Sequence, residues 1–128
     1  MVIKHTLKAK VFLSIAILYS LAILFLSLVN LQKVEIIKLE ASDKIYHAGC
    51  YCLMVLLWSL FTKSKSHSYN LKIKSILFVS ISLFGIIIEY LQLYLTNYRA
   101  FDWWDVLANC IGVFVGILIF SALQKLFN

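Results

Sequence analysis

Residues 11–32 carry no charged side chain, and a helix of that length crosses the roughly 30 Å hydrocarbon core of a bilayer. Three more apolar runs follow, at about 45–62, 75–98 and 105–124. A water-soluble fold of 128 residues cannot bury all four, because 62% of the chain is hydrophobic and only 14% is charged, against roughly 25% in a soluble domain. The expected architecture is all-α: a single domain over residues 1–128 in which four transmembrane helices form an antiparallel bundle. Lys4, Lys8 and Lys10 ahead of the first run also suit a secretory signal, but the run is long for one and lacks a clear small-x-small cleavage site. It is read as the first transmembrane helix.

Charge placement sets the expected orientation. With the N-terminus inside, the inner segments hold Lys4, Lys8, Lys10, Lys63, Lys65, Lys72, Lys74 and Lys125 and no acid. The two outer loops mix Lys33, Lys38, Lys44 and Arg99 with Glu35, Glu40, Asp43, Asp102 and Asp105. The positive-inside rule therefore puts both termini in the cytoplasm. It also accounts for the net charge of +6, so no nucleic-acid partner is expected. Cys50, Cys52 and Cys110 lack metal spacing and read as small hydrophobes.

Given that topology, unusual residues gather at the outer ends of three helices. On the second, Asp43, Lys44 and His47 are helical neighbours and Tyr51 lies one turn deeper, while Ser42 and Asp43 are good N-cap types. On the third, Glu89 and Gln92 share a face. On the fourth, Asp102, Asp105, Asn109, Gly112 and Gly116 recur at steps of three and four. A carboxylate facing lipid near a helix centre costs about 2.5–3.5 kcal/mol, so Glu89 should face protein or a wet cavity. Arg99 is the sole arginine; its planar fork suits an internal pair with Glu89 or Asp105, or an anionic ligand. Gly112 and Gly116 form a small-xxx-small pattern expected to seat helix four on helix three, with homodimerisation as its other use. Trp103, Trp104, Tyr94 and Tyr98 read as interfacial aromatics.

Taken in order, these residues resemble the VanZ-like family, small bacterial membrane proteins named for a protein associated with teicoplanin resistance. The family pattern runs Asp-Lys-x-x-His, then Glu-x-x-Gln, an Arg, and Asp-x-x-x-Asn-x-x-Gly-x-x-x-Gly. Asp43, Lys44 and His47, then Glu89 and Gln92, Arg99, and Asp105, Asn109, Gly112 and Gly116 supply it, and Tyr51 also fits. The chain departs from the family in having neither Pro nor Gly at residues 95–98, just before Arg99. The resemblance implies an envelope role in the bacterial cytoplasmic membrane, toward glycopeptide antibiotics or the lipids and precursors they meet, and supplies no established reaction.

The residues support two functional readings. In the first, an outward pocket binds an anionic lipid headgroup, a lipid-linked wall precursor or a lipoglycopeptide. Arg99, Lys44 and His47 would contact phosphate or carboxylate there, with Asp43, Tyr51, Glu89, Gln92, Asp102, Asp105 and Asn109 around them. In the second, the site modifies such a headgroup, with His47, Glu89 and Asp105 as acid/base candidates. A divalent metal on Asp102, Asp105, Glu89 and His47 is a variant of that reading without diagnostic spacing, and no metal or cofactor is expected. A polar network that merely holds the bundle is the plain alternative. A transporter is disfavoured, since a chain without proline gives unbroken helices that form a path only by oligomerising.

Overall fold

The computed structural model describes residues 2–29 and 40–127. Four helices account for almost all of them: α1 (Val2–Leu28), α2 (Glu40–Ser66), α3 (Leu71–Leu95) and α4 (Trp103–Phe127). Each is long and apolar enough to cross a membrane, and large apolar side chains such as Leu18, Ile87, Phe114 and Leu126 point outward from them. A bundle that exposes this much apolar surface is built for lipid. The chain is a multi-pass membrane protein.

All four helices differ from the hydrophobic runs at their ends. The segments expected at 45–62 and 75–98 run over Glu40–Ser66 and Leu71–Leu95, and the others begin at Val2 and Trp103. Hydrocarbon thickness limits the apolar run, whereas a helix continues into the polar region for as long as its backbone bonds close. Asp43 consequently sits within α2 and does not cap it. Residues 30–32 of the first expected helix, and Lys33, Glu35 and Lys38 of the first loop, lie outside the described residues.

The inter-helix turns have local causes. His67, at φ 55°, takes the left-handed conformation just after α2, and its N–H donates to the Lys63 carbonyl at 2.9 Å, an αL helix ending on a non-glycine residue. Asn70 then caps α3 by accepting from the Ile73 N–H at 3.1 Å. At the other end Thr96 stops α3 in an extended conformation, so the turn before Arg99 is made without Pro or Gly.

Successive helices run antiparallel, so α2 and α4 share a direction, and these two make the most extensive contact. α1 packs on α2, and α3 packs chiefly on α4. Gly112 and Gly116 do not seat helix four on helix three as expected. A Cβ on Gly112 would stand 2.1 Å from the Ala48 carbonyl oxygen, and one on Gly116 would stand 2.8 Å from that of Cys52. The two glycines thus fit against successive turns of α2, where backbone meets backbone. Beyond this seam Tyr51, Met54, Val55 and Val113 form the centre of the core.

Candidate functional site

The starts of α2 and α4 lie side by side, which brings Lys44 to two aspartates. Its Nζ donates to Asp102 Oδ2 at 2.6 Å and also pairs with Asp105 Oδ1. Asp105 suits the first turn of α4, where unpaired backbone N–H groups favour an anion. Asp102, just ahead of the helix, accepts from the Trp104 N–H at 2.8 Å. Lys44 and that N–H together hold the Asp102 carboxyl below the ordinary carboxylate range.

One turn deeper, His47 Nδ1 lies 3.1 Å from Asn109 Oδ1. The amide oxygen can only accept, so Nδ1 carries the proton in this arrangement and Nε2 is turned to the acids. Nε2 is 3.7 Å from Asp105 Oδ2 and 3.9 Å from Asp43 Oδ1. Asp105 therefore divides its oxygens, one toward Lys44 and the other toward His47. Among the described residues, the group with metal-ligand proximity is Asp43, His47 and Asp105. It differs from the Asp102, Asp105, Glu89 and His47 set weighed from sequence.

From α3, Glu89 and Gln92 enter at the same depth, each only 1% exposed. Gln92 Nε2 donates to the Ser27 carbonyl at 2.9 Å, which ties α3 to the end of α1, while its Oε1 has no partner among the described residues. The Asp102 backbone N–H stands near the Glu89 carboxylate, but neither oxygen closes a hydrogen bond of normal geometry among the described residues. Its charged neighbours are Asp105, His47 and Arg99. Tyr51 is buried, and neither its hydroxyl nor Asn109 Nδ2 has a hydrogen-bond partner among the described residues.

Sequence reading missed Gly85. A Cβ there would lie 3.0 Å from both Asn109 Nδ2 and Tyr51 Cε1, so Gly85 lets α3 approach this polar layer closely. Its signal was present: it stands one turn before Glu89 on the same face.

An open cleft of about 410 Å³ leads from the surface to this layer, with Asp43, Gln92, Arg99, Asp102 and Asp105 among its lining. The expected ion pair of Arg99 with Glu89 or Asp105 is not formed. Asp105 pairs with Lys44, and Arg99, half-buried in the cleft wall, makes no hydrogen bond or ion pair with a described residue. Tyr98 beside it donates to the Leu28 carbonyl at 2.8 Å. Trp103, Trp104 and Tyr94 are exposed and do not line the cleft. The site is a mixed-charge layer with one cation committed internally and one open to the cleft.

A family model described as VanZ/LLP1 matches residues 4–124, and that span takes in every residue of the site. No curated protein and no solved structure matches the chain.

Proposed function

The chain belongs to the VanZ/LLP1 family, and on that basis we propose that its cleft binds the anionic headgroup of a membrane-borne ligand. The ligand is a phospholipid, a lipid-linked wall precursor or a lipoglycopeptide such as teicoplanin, to which binding would confer resistance. The observation that carries this reading is the state of Arg99. The only arginine in the sequence lines an open cleft without an ion-pair partner among the described residues, while Lys44 is held by two aspartates. A guanidinium at a half-dry surface gains most from a bidentate phosphate or carboxylate. Gln92 Oε1, which has no partner among the described residues, supplies an acceptor for a ligand hydroxyl or amide.

With lysines concentrated at the far ends of the helices, the cleft faces outward from the bacterial cytoplasmic membrane, where wall precursors and glycopeptides are met. The test is binding of short-chain anionic and zwitterionic lipids, and of the lipoglycopeptide, to the purified protein. Arg99→Ala should weaken the anionic ligands most and zwitterionic phospholipids, which keep the phosphate, less; equal binding of all by wild type and variant would end this reading.

A second reading, headgroup turnover, is favoured by the burial of Glu89 beside His47 and Asp105. A desolvated carboxyl near an imidazole is the arrangement acid/base chemistry uses. Release of a headgroup product by wild type but not by Glu89→Gln would select this reading over simple binding.

A further inference from the structure

We propose that Asp43, His47 and Asp105 bind a divalent transition cation at the inner wall of the cleft, leaving coordination positions open toward Arg99. The three side chains offer one ligand atom each, all within 4.8 Å of one another. They come from two helices whose starts are locked together by Lys44. His47 Nε2 stands 3.7 Å from Asp105 Oδ2 and 3.9 Å from Asp43 Oδ1, too far for direct hydrogen bonds. Two ligands held about 2.1 Å from one cation stand about 3.0–4.2 Å apart, so both His47 spacings suit atoms that share an ion.

The surroundings point the same way. Asn109 Oδ1 receives the Nδ1 proton at 3.1 Å, which fixes the ring and leaves the Nε2 lone pair for a metal, the usual support of a ligating histidine. Lys44 holds the other oxygen of Asp105 and does not compete for Oδ2. An independent observation is a pair of buried acceptors beside the group that close no hydrogen bond of normal geometry among the described residues: Glu89, near the Asp102 backbone N–H and with Asp105, His47 and Arg99 as charged neighbours, and the Oε1 of Gln92, a residue that lines the cleft together with Asp43 and Asp105. Among the described residues, the four carboxylates Asp43, Glu89, Asp102 and Asp105 gather here with two permanent cations, Lys44 and Arg99. A divalent ion would offset the excess of acid among them. One imidazole and two carboxylates suit Zn²⁺ or Mn²⁺.

The inference deepens the headgroup reading, because a phosphate could bridge the cation and Arg99, but it is tested without lipid and the two can fail separately. The detergent-purified full chain is stripped with chelator and titrated with Mn²⁺, following the free-ion electron paramagnetic resonance signal, and with Zn²⁺ by equilibrium dialysis. The expected result is one ion per chain, with spin-echo modulation from a histidine nitrogen that His47→Gln abolishes. Asp43 is largely exposed, so Asp43→Ala should stay folded and weaken the ion about tenfold or more; Asn109→Ala should weaken it about 10–100-fold. No stoichiometric Mn²⁺ or Zn²⁺ in wild type, or binding that Asp43→Ala leaves unchanged and that shows no histidine nitrogen, would overturn the proposal.

Discussion

Replacing Gly112 by alanine should separate α4 from α2 and, with it, loosen the site. The added methyl would meet the Ala48 carbonyl oxygen at 2.1 Å and the Ala48 carbonyl carbon at 2.8 Å. Both are backbone atoms inside a helix, so no side-chain rotation relieves the clash. The helices must part by about 1 Å before the contact becomes tolerable, which places the cost at about 1–3 kcal/mol. Ala48 follows His47 and Gly112 is one turn below Asn109, so the same displacement stretches the 3.1 Å contact between His47 and Asn109.

Gly49→Ala is the control. A Cβ at Gly49 meets nothing within 4 Å, and alanine in a helix gains about 0.5–1 kcal/mol over glycine. The assay is thermal unfolding of both variants and wild type in one detergent, followed by tryptophan fluorescence. Gly112→Ala should melt several degrees below wild type and Gly49→Ala at or above it. If Gly112→Ala melted with Gly49→Ala, the close seam between α2 and α4 would be refuted.

Removing the Lys44 charge by Lys44→Met should destabilise the bundle, since it leaves Asp105, only 7% exposed, without its cation. The cost is about 1–3 kcal/mol because Lys44 itself is partly solvated. Asp105→Asn in the same chain should recover part of it in a double-mutant cycle of unfolding midpoints. Asp102 makes a pH prediction: its carboxyl is depressed in the folded protein by Lys44 and the Trp104 N–H. Its contribution is therefore complete above the ordinary carboxylate pKa, about 4, and is lost as pH falls through the lower folded value. Stability measured downward from pH 5 should accordingly fall less steeply in Asp102→Asn than in wild type.

Much of the bundle was legible in sequence because the bilayer imposes a length on apolar runs and a penalty on buried charge. Those two constraints locate four helices and pick out Glu89, Gln92, Asp105 and Asn109, which are all buried at one end. Helical periodicity says which residues share a face and does not say which helix the face meets. That is why sequence alone points Gly112 and Gly116 toward α3, whereas their backbone neighbours are Ala48 and Cys52 of α2. Partner choice among charges is likewise a tertiary matter. Arg99 and Lys44 are both near acids in sequence, and the parallel course of α2 and α4 decides that Lys44 takes Asp102 and Asp105. Ties such as Gln92 to Ser27 and Tyr19 to the Cys50 carbonyl at 3.0 Å depend on how α1 docks, on which residue types alone are silent.

Native mass spectrometry of the purified protein, comparing wild type with Arg99→Ala and Arg99→Lys, puts the headgroup site to its clearest trial. Wild type should retain a phosphate- or carboxylate-bearing lipid; Arg99→Ala should lose it with unchanged helix content, and Arg99→Lys should keep only part, because an ammonium cannot reproduce the bidentate fork. A wild-type protein that carries no such lipid, or an Arg99→Ala variant that carries as much as wild type, would contradict the account and leave the polar layer as a device for holding the bundle together.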